Sequence, residues 1–234
     1  MSSPTLALIP AKRRSTGVPD KNFKPIAPDG KSCSDLAIYV GARACDRLVF
    51  SSDMAVASDP PKLLAVERPD ELCQDDTPMI DVVKHALAAV PGPPDEIIVL
   101  LQPSSPLRTV ETVKKAIVML DASDFVNSVV SVSPSYPIDW SLIVEGGFLG
   151  TCLDADWPQS TYLGFMPSRR QDCTPTYKRD GAVYCFPRRL VETQGNIYGI
   201  APIPLYTPPD EALSIDTQAD WDEAVRRLKE RKCY

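Results

Sequence analysis

The sequence predicts an α/β protein built on a mostly parallel sheet with flanking helices, with a lobe inserted at 133–180. Three observations predict it. Short, unbroken apolar runs such as Thr5–Ile9 and Glu96–Leu101 have the character of strands buried on both faces, as in parallel sheets covered by helices. These runs alternate with helix-period stretches, the order produced by right-handed crossovers. From Ser133 onward the texture changes: Pro134, Pro137, Gly146, Gly147, Gly150 and Pro158 break the chain into short apolar pieces, the pattern of hairpins and long loops.

The elements follow in order. Thr5–Ile9 is a strand that Pro10 ends, and a basic loop follows it. Asp35–Arg43 reads as a short helix and Arg47–Phe50 as a second strand, delivering Ser51-Ser52-Asp53. Residues 54–62 are too few and too proline-broken for a full crossover helix, and Leu63–Val66 is a third strand. Asp76-Thr77-Pro78 supplies a cap and a first-turn proline, with Ile80, Val83, Leu87 and Val90 marking the apolar face of the helix. Gly92 and the prolines around it stop that helix before Glu96–Leu101. Thr109 caps the next helix, whose Val110, Val113, Ile117 and Leu120 repeat at helical spacing. Ser128–Val132, Ala182–Phe186 and Tyr198–Pro204 are further strands, and Arg188–Thr193 is a helical turn. The helix Thr217–Lys232 carries Trp221, Ala224, Val225 and Leu228 on one stripe, with Asp222–Arg226 and Glu223–Arg227 pairs spaced four apart.

The 234 residues suffice for one large domain with a smaller lobe inside it, and 24% charged against 44% hydrophobic residues is ordinary for a globular protein. A net charge of −6 argues against general affinity for nucleic acid. No apolar run approaches the ~20 residues of a membrane helix, and MSSPTLALIP lacks the features of a signal peptide, so a cytoplasmic protein is expected. Seven scattered cysteines without a CxxC pair form neither a disulfide framework nor a zinc site. The single histidine, His85, falls in an amphipathic helix and reads as structural; its solitude excludes a two-histidine metal motif.

The basic loop is the local exception to the acidic balance. Lys12, Arg13, Arg14 and Lys21 leave the carboxyl end of the first strand, where open α/β sheets place their ligands, and this points to a polyphosphate. A solvated basic loop is the alternative. Gly17 favours the ligand because it permits close backbone approach. Asp53, also at a strand's carboxyl end, is either a site residue or a helix cap.

Four segments in this order resemble the CMP-N-acylneuraminate synthetase family, the cytidylyltransferases that activate sialic acids and related acidic sugars. They are IPAKRRSTGVPDKN (9–22), ERPDEL with Asp76-Thr77, LLQPSSPLR (100–108), and the pair SRRQDCTPTYKRDGAVY (168–184) and SIDTQADW (214–221). The resemblance implies a Rossmann-like nucleotidyltransferase fold with an inserted dimerisation lobe. It also implies attack of a sugar hydroxyl on the α-phosphate of CTP with release of pyrophosphate, chemistry that needs positioning and charge neutralisation more than a covalent nucleophile. On this resemblance Lys12, Arg13 and Lys21 hold the triphosphate, Asn22 contacts the nucleotide's sugar and Arg68 lies near the cytosine. Gln102 and Ser104 meet the sugar acid, while Arg170, with Gln171 in the RRQ segment, pairs with its carboxylate across a homodimer. Asp216 binds Mg2+, and Lys21 and Asp216 are the catalytic pair.

The sequence departs from the family pattern in four places. Lys12 stands for an arginine, Thr16 for the lysine of SKG, Ser214 for the first of two metal-binding aspartates, and Asp180-Gly181 for an Asn-Gly pair. Asp216 is therefore either a sole metal carboxylate or only the residue before a Thr217–Asp220 helix cap. Ser104 and Ser105 serve the ligand or simply the backbone of their loop, and Arg170 is a carboxylate ligand or a surface arginine. A sugar-nucleotide pyrophosphorylase, a glycosyltransferase with another donor and a non-catalytic nucleotide-binding module are the alternative functions. Trp140, Trp157, Tyr162 and Phe165 in the lobe call for a surface to bury against, and a homodimer is expected.

Overall fold

A computed structural model describes residues 3–54, 62–123, 127–145, 148–151, 167 and 169–231, with backbone alone at 143–145 and 148–151. The chain forms two compact units, Met1–Ser131 with Asp180–Tyr234, and Val132–Arg179.

The larger unit is organised by a seven-stranded sheet in the order β3-β2-β1-β4-β8-β5-β9. Its strands are β1 (Thr5–Ala11), β2 (Arg47–Ser52), β3 (Leu63–Glu67), β4 (Ile97–Leu100), β5 (Val129–Pro134), β8 (Tyr177–Pro187) and β9 (Ile203–Tyr206). The pairs β1–β2, β2–β3 and β1–β4 are parallel, with Leu8 opposite both Val49 and Leu100. β8 lies antiparallel to β4, Val99 opposite Cys185. Alternation of strand and helix foretold the parallel part; β8 follows the excursion of the chain rather than a crossover helix, so nothing obliges it to run parallel.

Pro10 does not end β1, which runs on to Ala11. The Leu8 carbonyl accepts from Leu101 N, so even-numbered residues of β1 direct their polar groups toward β4, which finishes at Leu100. The donor that Pro10 lacks is missed only at the last rung. Tyr198–Pro204 is likewise corrected: Asn196 Oδ1 takes the amides of Tyr198 and Gly199 in a turn, and the strand begins at Ile203.

The helices are α1 (Cys33–Ala44), α2 (Met79–Ala89), α3 (Val110–Asp121), α4 (Arg188–Gln194) and α5 (Gln218–Glu230). Thr109 caps α3 by accepting from Thr112 N, but α2 starts behind Pro78 with no side-chain cap, because Thr77 Oγ1 donates instead to Glu71 O. On α5, Asp222 accepts from Gln218 rather than Arg226, which pairs with Glu223 and Glu230.

Alternation along β1 sends Ala7 and Ile9 to one core and Leu6 and Leu8 to the other, one on each face of the sheet. Full burial of each such leucine or isoleucine contributes about 1.5–3 kcal/mol. A third cluster packs Trp221, Ala224 and Leu228 of α5 against Val18, Leu36, Leu107 and Ile215, and so seats the basic loop beside the start of α5. A buried ion pair closes the opposite end of the sheet. Glu96 Oε2 accepts from Arg188 Nη2 at 2.7 Å, and Glu96 Oε1 from Arg47 at 3.0 Å, while Arg188 also donates to the carbonyls of Leu87 and Val90.

In the smaller unit, β6 (Leu142–Glu145) and β7 (Phe148–Thr151) form an antiparallel hairpin. Trp140 Nε1 donates to Pro167 O at 2.6 Å, and its ring stands 6.0 Å from that of Tyr136. Trp157, Tyr162 and Phe165 lie outside the described residues. Among the described residues the five cysteines are free thiols, and no helix is long and apolar enough to cross a membrane.

Candidate active site

The carboxyl ends of β1, β3 and β4 deliver three loops to one cleft of about 210 Å³ in the larger unit. Its lining includes Lys12, Lys21, Asn22, Arg68, Gln102 and Ser104, six of the residues expected from the sequence. Asp75, Thr77, Met79 and Val82 complete much of the remaining wall.

A fourth segment, Leu213–Thr217, holds two of these loops together. Lys21 Nζ donates to Ile215 O at 2.6 Å, and Ile215 N donates to Ser104 O at 2.8 Å. Gly17 lies against the same segment: a Cβ there would sit 1.9 Å from the Asp216 carbonyl oxygen. The glycine thus permits a close approach, but to the protein's own backbone rather than to a ligand. Within the loop, Asn22 Nδ2 donates to Lys12 O at 2.9 Å, so its amide is structural at one end and lines the cleft at the other. Asp53 accepts the amide of Arg13 at 2.9 Å; its place at a strand end serves to anchor the basic loop to β2.

Arg68 is buried on Ser51, its Nε donating to Ser51 Oγ at 3.2 Å and its Nη2 to Ser51 O at 2.6 Å. Burial pulls its guanidinium below the ordinary arginine value, and no carboxylate pairs with it among the described residues. A buried cation at a cleft wall, with Asp53 acting on it only at a distance, favours an anionic or strongly polar ligand. Arg108, which motif reading left without a role, is also buried; it donates to Gln102 O, and its Nε has no partner among the described residues. Burial lowers its pKa to about 9, against the attraction of Cys33, Asp180 and Glu211.

The Gln102–Ser105 turn is fixed from its other side by Asp180-Gly181. Ser105 Oγ donates to Asp180 O at 3.1 Å, and Asp180 Oδ1 accepts from Ser131 Oγ at 2.5 Å. Gly181 adopts φ +75°, which calls for glycine, and a Cβ there would lie 2.8 Å from Gln102 Oε1, displacing the end of that cleft side chain. The sequence signal for this contact was the Asp-Gly pair itself.

Four expected residues lie outside the cleft wall. The Arg13 side chain is exposed. Arg170 and Gln171 line a separate recess of about 260 Å³ in the smaller unit, with Pro134, Cys173 and Tyr177. The Asp216 carboxylate is 74% exposed and stands 3.8 Å from Lys21 Nζ. The capping arrangement next to it is present, Asp220 accepting from Thr217 N and Oγ1 and Thr217 Oγ1 from Asp220 N. Among the described residues no three histidines, cysteines or carboxylates are grouped as a metal cage. One exposed carboxylate at the edge of a cationic cleft fits magnesium, which is commonly held by one or two carboxylates together with substrate phosphates.

The chain matches no protein-family model. It is 25% identical over 228 residues to the CMP-N,N'-diacetyllegionaminic acid synthase of Legionella pneumophila, covering 92% of both chains. It is 26% identical over 230 residues to the N-acylneuraminate cytidylyltransferase of Streptococcus agalactiae, covering 95% of this chain and 53% of that protein, so it spans about half the length of the streptococcal relative. Among solved structures, CMP:2-keto-3-deoxy-manno-octonic acid synthetase complexed with CTP superposes with a TM-score of 0.61 at 14% identity, covering 97% of this chain and 99% of the other. A 4-diphosphocytidyl-2C-methyl-D-erythritol synthase superposes with a TM-score of 0.64 at 12% identity, covering 97% and 100%. The chain thus shares the Rossmann-like nucleotidyltransferase fold of these solved synthases, and over most of its length it is similar in sequence to the legionaminic acid synthase and the N-acylneuraminate cytidylyltransferase.

Proposed function

We propose that this protein is a cytidylyltransferase that transfers CMP from CTP to an acidic sugar of the sialic-acid or nonulosonate type. A sugar hydroxyl oxygen forms the new bond to the α-phosphorus, the α–β phosphoanhydride bond breaks, and pyrophosphate leaves. The observation that carries this reading is the meeting of Lys12, Lys21 and Arg68 with Gln102 and Ser104 around one cleft at the carboxyl ends of three parallel strands. The names of the sequence relatives support the choice of CTP and of an acidic sugar.

In this reading Lys21 stabilises charge on the triphosphate while its bond to Ile215 O keeps its stem fixed, a preorganised donor of the kind that lowers a barrier most effectively. Asn22 and Arg68 hold the nucleoside end, and Gln102 and Ser104 orient the sugar. Asp216, with the triphosphate, would hold magnesium, which supplies charge neutralisation to the phosphoryl oxygens. Arg13, exposed at the rim, adds to the field that attracts the anion.

The dimer belongs to the same reading. Tyr136, Ile138, Leu142 and Tyr177 are exposed apolar side chains of the smaller unit, a surface suited to a second copy, through which Arg170 and Gln171 would serve the sugar carboxylate of the partner's site. The whole protein would then work in the cytoplasm, where CTP is made. Pyrophosphate release from CTP, measured across a panel of sialic, legionaminic and 2-keto-3-deoxy acids, tests the activity. Sedimentation at micromolar concentration tests the dimer; a monomer would remove the role given to Arg170.

A further inference from the structure

Lys12 has three ammonium protons and three acceptors that take them. Asp75 Oδ1 lies at 2.5 Å, Gln74 O at 3.1 Å and Cys73 O at 3.4 Å, all from the turn that forms one wall of the cleft. The hydrogen bond and the charge of Lys12 hold the Asp75 carboxylate below the ordinary carboxylate value.

We propose that Asp75 is an affinity-determining residue, a clasp that occupies Lys12 in the nucleotide-free protein and is exchanged for a phosphate oxygen when the triphosphate enters. The proposal rests on the CTP reading above. A fully satisfied ammonium accepts a new ligand only by releasing an old one, and Asp75 is the one to go. Its side chain is 58% exposed against 24% for Lys12, so it returns to water at little cost, and a triphosphate repels it. The carbonyls of Cys73 and Gln74 carry no net charge and keep Lys12 on the wall. The clasp therefore tunes affinity for the phosphate end of the ligand alone; a nucleoside without phosphates leaves it closed.

Calorimetric binding of CTP and of cytidine, at fixed magnesium and without sugar acid, tests this on the wild type, Asp75→Asn, Lys12→Met and the double variant, with melting temperatures confirming that each folds. An exposed ion pair of this kind corresponds to about a two- to fivefold effect. Asp75→Asn is expected to bind CTP two- to fivefold tighter with cytidine affinity unchanged, and the gain should shrink as salt is raised. In the Lys12→Met background the same change should give no gain. Unchanged or weaker CTP binding by Asp75→Asn overturns the clasp, as does a gain that persists without Lys12, which would mark a field acting through space. Absence of CTP binding by the wild type overturns the proposed function and the clasp with it.

Discussion

Lys21 Nζ donates to Ile215 O at 2.6 Å and stands 3.8 Å from the Asp216 carboxylate, so residues 194 positions apart in the chain share one ammonium. The contact depends on Gly17, whose missing side chain leaves the space that the Asp216 carbonyl fills. Replacing Gly17 with alanine would bring a methyl group to 1.9 Å from backbone rather than from a flexible side chain, so the loop or the segment must move. We expect Gly17→Ala to cost about 1–3 kcal/mol of stability and at least about tenfold in kcat/KM for CTP. Steady-state kinetics beside a thermal melt checks it; near-normal kcat/KM would mean that the contact does not position Lys21.

Among the described residues Asp216 is the carboxylate placed beside Lys21, with Ser214 two positions before it. The expected behaviour is a raised magnesium requirement that Ser214→Asp lowers. Asp216→Ala should abolish transfer while leaving the melting temperature unchanged, since the Thr217–Asp220 cap of α5 does not use the Asp216 side chain. Magnesium titrations of turnover decide between the readings: near-normal turnover of Asp216→Ala at low magnesium would leave Asp216 as no more than a neighbour of the cap.

Glu96 is wholly buried between Arg188 and Arg47, away from the cleft. Glu96→Gln leaves the buried Arg188 and the part-exposed Arg47 facing one neutral amide. Loss of one partner of a buried pair costs about 3–5 kcal/mol. Denaturant unfolding should show that loss, while activity per folded molecule stays at the wild-type level.

The acid end of the stability profile involves Glu223. Hydrogen bonds from Arg226 and Arg227 lower its pKa from 4.5 to about 2. A depressed folded-state pKa contributes stability that is present above about pH 4.5 and is lost as pH falls toward 2. The group is exposed, so the effect is local and screened by salt. A carboxyl NMR titration should place the Glu223 midpoint well below the ordinary 4.5; a midpoint near 4.5 would show that the two arginines are not held against it.

Most of the sheet was legible because β1, β2 and β4 are buried on both faces, and their apolar runs have no other explanation. β8 was underestimated, since its outer part is polar: Lys178, Arg179 and Asp180 continue the strand on backbone pairing that no periodicity reveals. Six cleft residues were found through motif order. Asp75 and Arg108 escaped for opposite reasons. Asp75 is one of two adjacent aspartates, and only the fold shows which one meets Lys12. Arg108 sits inside a recognised motif, yet its burial and its bond to the Gln102 carbonyl depend on α3 and Asp180 closing around it. Gly17 was seen as a site of close approach, but a sequence cannot say what does the approaching.

Release of pyrophosphate with each nucleoside triphosphate in turn tests CTP-dependent transfer most directly. With a sialic, legionaminic or 2-keto-3-deoxy acid and magnesium present, CTP should give pyrophosphate and a CMP-sugar in equal amounts, and ATP, GTP and UTP should give neither. Equal turnover of UTP or ATP, or no product from any acid with CTP, would contradict the account.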